Sequence, residues 1–445
     1  MNFTDVLAGK LLLPQEIPLS IPTIAYLQRT NQISQLPSIK QKYNRYQCLR
    51  CGNSKQSLFA NLPCARCHNR HVYCRHCIAT GRVLACENLT IWAGDPPTWP
   101  KQIKPCNWKG TLTKHQRQAA ETLKNALESR QPEQLVWAVC GSGKTEMLFP
   151  VIEAAIKDNL RIGIATPRAD VVRELFPRMH QAFPQTAIEA LYADSPDRTG
   201  TGQLVISTTH QLIRYQEAFD LMIIDEIDAF PFHHDSTLPF LANRACKKVA
   251  SKIYLTATPR PSQQKQITKK KLPTIFIPVR YHGHPLPIPQ PQIEWNLKKK
   301  LERGNTPNAL QQFMDNRPNI RQLLIFVPSI AILDKASTLL NAVSVHAGDP
   351  DRKEKVLDFR QKKLDILVTT TILERGVTFP SVDVVVLDAG HGVFDEAALV
   401  QIAGRAGRSP EDPTGEVVLI HQGKTNAIEQ AIAQIKMMNR KGANL

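Results

Sequence analysis

The sequence predicts an α/β protein, with two tandem doubly wound parallel-sheet domains preceded by a small cysteine-rich module. Three observations carry this. From about residue 110 onward, short apolar runs of strand length alternate with amphipathic helical stretches. Near the start of that region a Gly-Ser-Gly-Lys-Thr loop joins one such run to a helix. Upstream of it, six of the ten cysteines fall in three Cys-x-x-Cys pairs.

The chain is organised around Ala138-Val-Cys-Gly-Ser-Gly-Lys-Thr145. The apolar run Gln134–Ala138 leads in, and Thr145–Leu148 followed by Val151–Ile156 reads as a helix. This is the strand, loop and helix of a P-loop. Gly141, Ser142 and Gly143 let backbone N–H groups curl toward phosphates, Lys144 brings a positive charge to the β- and γ-phosphates, and the Thr145 hydroxyl suits magnesium. Ala138 replaces the first glycine of the usual pattern, at the position least involved in touching phosphate.

A chain of 445 residues has room for two or three domains with substantial cores. Its 42% hydrophobic and 21% charged residues are those of a soluble globular protein. The formal net charge of +17 favours an anionic partner, nucleic acid first and an anionic membrane surface second. No apolar stretch reaches the roughly 20 residues of a spanning helix. Met1–Asp5 lacks the basic start of a secretory signal, and Pro14 cuts Leu11–Leu13 short. The expected location is the cytoplasm.

In the N-terminal third, residues 1–45 show no strong periodicity. Then come the pairs Cys48/Cys51, Cys64/Cys67 and Cys74/Cys77. In a reducing compartment paired thiolates two residues apart grip zinc, and two pairs complete a tetrahedral site. Gly52 suits the turn of the first pair. Cys48 and Cys51 can close with Cys64 and Cys67 or with Cys74 and Cys77. His68, His71 and His76 are near enough for a second site, although surface positions are the commoner role. Cys86, Cys106, Cys140 and Cys246 are isolated and read as packing residues. Arg45, Arg50, Lys55, Arg66, Arg70, Arg75 and Arg82, with Tyr43, Tyr46 and Tyr73 between them, read equally as a single-strand grip or as a solvated rim. The resulting divisions are an N-terminal segment 1–45, a four-cysteine zinc module 46–90 and a Pro-rich linker 91–110. A first α/β domain with the P-loop (111–262), a connector (263–300) and a second α/β domain (301–445) follow.

In the first α/β domain, Leu112–Gln116 opens a helix whose Gln116 can reach an adenine. The strand Leu160–Ala165 ends in Thr166-Pro-Arg168, and Leu204–Ser207 ends in Thr208-Thr209-His-Gln. At strand carboxyl ends these small hydroxyls and Arg168 suit a sugar-phosphate backbone. Leu221–Ile224 delivers Asp225-Glu226-Ile-Asp228 beside the P-loop, with Asp225 a magnesium ligand and Glu226 orienting the attacking water. Lys252–Leu255 ends in Thr256-Ala-Thr258. The connector is rich in proline and lysine, and its His282 and His284 read as exposed loop residues. The second domain repeats strands at Leu323–Val327, Leu364–Val368 and Val382–Leu387 without a P-loop. It carries Thr369-Thr370-Thr-Ile-Leu-Glu374-Arg375-Gly376 and Gln401-x-x-Gly-Arg405-x-Gly-Arg408. Arg405 and Arg408 share a helix face and are placed to reach a γ-phosphate on the first domain.

In order and spacing these blocks resemble superfamily-two helicases from about residue 110 to 435, which implies two RecA-like domains. More narrowly, Val136–Pro150, Ser207–Leu212, Asp225–Pro231 and Thr371–Val377, with the zinc module upstream, resemble the ComFA family of late-competence DNA-uptake ATPases. The resemblance implies zinc on Cys48, Cys51, Cys74 and Cys77, with Cys64 and Cys67 departing from the family pattern. It implies a cytoplasmic, single-stranded-DNA-stimulated ATPase that acts at the inner face of the membrane, using ATP, magnesium and zinc. Partners implied are ComFC, DprA and the membrane DNA-uptake channel. On this reading Lys144, Thr145 and Asp225 bind ATP and magnesium, Glu226 activates water, and Gln401, Arg405 and Arg408 close the site. Loops at Thr166, Arg168, Thr209 and Thr370 grip DNA. A PriA-like replication-restart helicase is the nearest rival, but its cysteines would interrupt the second lobe. An ATP-gated DNA-binding scaffold and an RNA helicase are the others.

Overall fold

The computed structural model describes residues 3–443 apart from 44, 198 and 318–319, so the start of the Met1–Asp5 segment lies outside the described residues. The N-terminal part holds β1 (Leu11–Leu12), β2 (Ile33–Pro37), β3 (Ile39–Lys42), β4 (Arg45–Cys48), β5 (Phe59–Pro63), β6 (Arg70–Cys74), β7 (Val83–Leu84) and β8 (Asn88–Trp92). They form three small antiparallel sheets: β1-β8-β2, the β3-β4 hairpin and β5-β6-β7. The first of these takes strands from both sides of the cysteine segment, which ties residues before Cys48 to residues after Cys77.

The first large sheet contains β9 (Glu133–Ala138), β10 (Ile162–Thr166), β11 (Ile188–Leu191), β12 (Leu204–Thr208), β13 (Phe219–Ile224), β14 (Cys246–Thr256) and β15 (Thr274–Ile277), in the order β11-β12-β10-β13-β14-β9-β15. The second contains β16 (Gln290–Ile293), β17 (Gln322–Phe326), β18 (Val343–Val345), β19 (Ile366–Thr369), β20 (Val382–Leu387) and β21 (Val417–His421), in the order β16-β21-β20-β17-β19-β18. Their strand pairs are parallel. Helices cover both faces, so β10, β17, β20 and β21 are buried along their whole length. That is why they read in the sequence as continuous apolar runs rather than alternating ones.

The segment 263–300, read as a connector, also supplies an edge strand to each sheet: β15 beside β9 and β16 beside β21. Both strands are short and bordered or interrupted by proline, which is tolerated at an edge and hides the strand pattern. The two lobes also share one apolar cluster. Trp137, Val139, Cys140 and Ala257 of the first lobe pack with Leu324, Phe326, Ile402 and Ala403 of the second. The cysteine-bearing segment packs against the first lobe through the helix Thr237–Ala245. Cys48, Cys51, Cys74 and Cys77 share a cluster with Leu238, Leu241 and Ala242, and Arg244 Nη1 donates to the carbonyl of Leu49 at 3.2 Å.

Candidate nucleotide cleft and cysteine clusters

Strand β9 ends at the loop that opens the helix Lys144–Lys157, so the helix N-terminus and its free N–H groups face the cleft. Gly141 and Gly143 both have positive φ, +78° and +69°. A side chain at Gly143 would stand 2.3 Å from Gln116 Nε2. That close approach has a purpose in the local structure. Gln116 closes a capping box with Thr113, accepting from the Thr113 N–H at 2.8 Å, and its amide donates to the carbonyl of Ser142 at 2.7 Å. The Gln116 amide, read in the sequence as an adenine contact, is engaged here in holding the phosphate loop.

The cleft encloses about 560 Å³ and is lined from both lobes. The first contributes Trp108, Gln116, Gly141–Glu146, Asp225 and Glu226, and the second contributes Gly376–Thr378, Gln401, Arg405 and Arg408. Its polar groups fit a magnesium nucleotide. The Ser142 hydroxyl is buried without a hydrogen-bond partner among the described residues, as is Glu226 Oε2. Burial raises the Asp225 carboxyl to about 6, with Lys144 opposing the rise and Glu226 adding to it. A divalent cation would relieve that cost of burial. Glu226 itself has φ +54°, and its N–H donates to Asp225 Oδ1 at 2.8 Å. A non-glycine residue in the left-handed region at the end of a buried strand is a strained backbone of the kind found at functional sites.

Sequence reasoning missed the polar hub behind these acids. Asp228 accepts from Thr256 Oγ1 and Thr258 Oγ1, each at 2.7 Å, and from Arg375 Nη2 of the other lobe at 2.6 Å. Burial alone would raise this carboxyl, but Arg375 and the two threonines hold it well below the usual carboxylate range. Arg375 Nη1 also lies 3.8 Å from Glu226 Oε2. Arg260 Nη1 reaches Asp395 at 2.9 Å and Arg352 Nη2 reaches Asp170 at 2.9 Å, further ties between the lobes. The Thr-Ala-Thr and Glu-Arg-Gly blocks were visible in the sequence. Their pairing was not, because 147 residues separate Asp228 from Arg375.

On the second lobe, Arg405 is buried and donates through Nε to the carbonyl of Glu374 at 2.9 Å and through Nη1 to Val377. Burial, with Arg408 beside it, pushes its guanidinium well below its usual value. Arg408 Nε donates to the carbonyl of Gly404 at 2.9 Å. Gln401 Oε1 accepts from Cys140 Sγ at 3.0 Å, joining the phosphate loop to the arginine segment. Cys140, read as an isolated packing residue, is therefore a contact between the lobes. Arg280, from the segment read as a connector, is buried and donates to the carbonyls of Ala406 and Gly407.

The residues proposed from sequence to grip a strand separate into two kinds. Thr166 and Thr209 are fully buried, with hydroxyls that lack partners among the described residues, so they offer no surface as placed. Arg168 and Thr370 are half-buried. Arg168 lines a second cleft between the lobes with Phe230, His233, Arg260 and Arg375.

Cys48, Cys51, Cys74 and Cys77 are all buried, and their sulfurs lie within 4.8 Å of one another. Four convergent thiols fit a structural zinc. Cys64 and Cys67 do not join them. They cluster instead with Cys86, a residue read in the sequence as isolated packing. Arg50, read as part of a basic rim, is fully buried and bonds Glu16 at 2.7 Å and the carbonyl of Thr80 at 2.9 Å.

Comparison with known proteins places these features in a family. Residues 1–91 match the competence protein ComFA N-terminal domain, 109–261 match the type III restriction enzyme res subunit, and 305–410 match the helicase conserved C-terminal domain. The competence protein ComFA of Bacillus subtilis (strain 168) is 43% identical, over 99% of this chain and 96% of that protein. The chain belongs to the ComFA family. The ComFA of Streptococcus pneumoniae is 35% identical over 91% of this chain and 93% of that protein. As a ComFA-family chain it is an ATP-hydrolysing, superfamily-two helicase-like enzyme, and its domains imply ATP and magnesium. Among solved structures, Saccharomyces cerevisiae Dbp5 bound to RNA and ADP BeF3 superposes with a TM-score of 0.51 at 16% identity, over 74% of this chain and 91% of that one. Mycobacterium smegmatis helicase Lhr bound to single-stranded DNA and AMP-PNP gives 0.51 at 16% identity, over 75% and 50%. These two share the fold of the paired lobes. Among the described residues no helix is long and apolar enough to cross a membrane.

Proposed function

We propose that this chain is an ATP-dependent single-stranded DNA motor that draws transforming DNA into the cytoplasm, working at the inner face of the membrane. The observation that carries this is the nucleotide cleft lined by both lobes. A site divided between two lobes ties their spacing to its contents. The competence proteins most similar to this chain support the biological setting.

Lys144, Thr145 and Asp225 would hold ATP and magnesium, which supply a γ-phosphate polarised for attack by water. Glu226 takes the proton of that water, its free Oε2 being held near Arg375. Arg405 and Arg408 draw charge from the transferring phosphate, an anion suited to two neighbouring buried or half-buried guanidiniums. A change in lobe spacing would be passed to the second cleft between the lobes, which Arg168 and Arg260 line and where the exposed Phe230 offers a stacking surface. Phosphate contacts and stacking make such a grip tolerant of sequence and sensitive to salt. Zinc on Cys48, Cys51, Cys74 and Cys77 would hold the N-terminal segment against the helix Thr237–Ala245.

The test is ATP turnover by the purified protein, alone and with single-stranded DNA, duplex DNA or single-stranded RNA, with Lys144→Ala and Glu226→Gln as controls. Strong stimulation by single-stranded DNA, together with displacement of a protein roadblock from it, is expected. Equal stimulation by RNA, or turnover without roadblock displacement, would overturn the DNA-motor reading. Lys144→Ala should abolish turnover, and Glu226→Gln should bind ATP without hydrolysing it.

A further inference from the structure

Three of the six cysteines outside the buried four-sulfur cluster are not scattered. The sulfurs of Cys64, Cys67 and Cys86 all lie within 4.8 Å of one another, and His71 Nε2 stands 3.1 Å from Cys67 Sγ. Donors on one tetrahedral zinc, with Zn–S near 2.3 Å and Zn–N near 2.0 Å, stand roughly 3.5–3.8 Å apart, so the three sulfurs are near enough to close on one ion, and His71, beside Cys67 alone, would turn to supply the fourth donor.

The backbone makes the same point independently. In the first knuckle the Cys48 N–H donates to the carbonyl of Asn53 at 3.0 Å, and the Gly52 N–H donates to the carbonyl of Cys48 at 2.8 Å. The second repeats this turn position for position: the Cys64 N–H donates to Asn69 and the His68 N–H to Cys64, both at 2.9 Å. The residue after the second cysteine is left-handed in both, Gly52 at φ +77° and His68 at φ +56°. Glycine takes that conformation freely, whereas a histidine does not. A strained residue kept in the knuckle conformation fits a loop shaped for a ligand.

The third sulfur arrives through the sheet. Strand β7 pairs antiparallel with β6, and the Ala85 N–H donates to the carbonyl of Val72 at 2.9 Å, which carries Cys86 to the turn between β5 and β6. Cys74 and Cys77 lie at the other end of β6, beside Cys48 and Cys51. The hairpin thus has a cluster at each end. A disulfide would use two of the three sulfurs and leave the third and His71 without a role.

We propose that Cys64, Cys67, Cys86 and His71 bind a second zinc ion, making the N-terminal segment a two-metal module. The full-length protein, prepared without chelator, is weighed by native mass spectrometry and its zinc measured by elemental analysis. Two zinc ions per chain are expected, falling to one in Cys86→Ser and in the Cys64→Ser/Cys67→Ser double variant. In cobalt-substituted protein His71→Ala should shift the visible bands of one ion while the other keeps its spectrum. To keep the test independent of how the variants fold, native protein is also titrated with a thiol-blocking mercurial, and zinc should leave in two steps. One zinc per chain that survives the Cys64→Ser/Cys67→Ser change would overturn the proposal, as would a Cys64–Cys67 disulfide in the native protein. A single zinc lost in that variant but kept in Cys48→Ser/Cys51→Ser would also overturn the two-metal module, placing the one ion at this end of the hairpin.

Discussion

Arg375 and Asp228 form an ion pair between the two lobes, Nη2 to Oδ2 at 2.6 Å, with side chains only 2% and 0% exposed. Neither charge has water to turn to. Removing Arg375 leaves the Asp228 charge buried with only the Thr256 and Thr258 hydroxyls beside it, at a cost of about 3–5 kcal/mol. Arg375→Ala should therefore lower the melting temperature clearly while ATP still binds, and turnover should fall because the lobes no longer hold Glu226 in place. The pH dependence should change as well. In the native protein Asp228 is held below its ordinary value of 3.8, so its contribution is present above that pH and is lost as pH falls further below it. Without Arg375 burial dominates, the carboxyl rises, and acidification from neutral pH should stabilise the variant. Thermal melts of both proteins across pH 3–7 check the sign.

Asp225 behaves in the opposite way. Burial raises its carboxyl from 3.8 to about 6, so the folded protein holds this proton more tightly than the unfolded chain does. Its effect on stability is then most favourable at low pH and is lost as pH rises through that window. Asp225→Asn should melt higher than the native protein at pH 7 when magnesium is absent, and it should show no turnover. Magnesium and the proton compete for the same oxygens, so apparent magnesium affinity should fall about tenfold per pH unit below about 6. Calorimetric titration at pH 7.5 and 5.5 would show it. An unchanged affinity would remove Asp225 from the ligand set.

What could be read in the sequence follows from which interactions are local. The phosphate loop lies within eight consecutive residues and the acids within four, so the loop geometry and the strand before it could be recognised directly. Strands such as β20, buried on both faces, announce themselves as apolar runs. The short edge strands β15 and β16 did not, because proline borders or interrupts them. The pairing of Cys74 and Cys77 with Cys48 and Cys51, rather than with Cys64 and Cys67, depends on how three hairpins stack, which residue spacing does not encode. Arg50 looked like its exposed neighbours. Only the fold shows that it turns inward to Glu16 and the carbonyls near Thr80. Likewise nothing in the sequence distinguished Arg375 as the residue that crosses between lobes.

Arg50 leads to a prediction about the zinc module. Its guanidinium bridges Glu16 before the cysteines to Thr80 after them, and it sits on the knuckle between Cys48 and Cys51. Arg50→Met keeps the apolar stem and removes the fork, leaving Glu16 with the more distant Arg214 at 3.5 Å. The variant should lose zinc to a chelator faster than the native protein, with little change in basal ATP turnover. Chelator-release kinetics followed with a colorimetric zinc indicator would measure this, and an unchanged rate would show that the thiolates alone hold the module.

The contact between Cys140 and the arginine segment gives the sharpest test of whether lobe spacing controls catalysis. A methyl group added at Gly404 would stand 2.5 Å from Cys140 Cβ and 2.8 Å from its sulfur. The nearer atom, the Cys140 Cβ, is fixed by the backbone, so a rotamer change cannot relieve the clash and the two loops must separate. Gly404 is otherwise helical, with φ −64°, so alanine brings no backbone penalty of its own. Gly404→Ala should fold, bind ATP at the first lobe, and lose turnover by at least tenfold because Arg405 and Arg408 are displaced from the phosphates. If spacing is the cause, Cys140→Gly in the same chain removes the colliding carbon and should restore part of the rate, although the hydrogen bond to Gln401 is lost. Cys140→Gly alone should slow turnover only modestly. Measuring turnover for the two single variants and the double variant isolates the coupling between the residues. Additive losses would mean that Gly404 acts on the arginines without Cys140, and the lobe-contact account would fail.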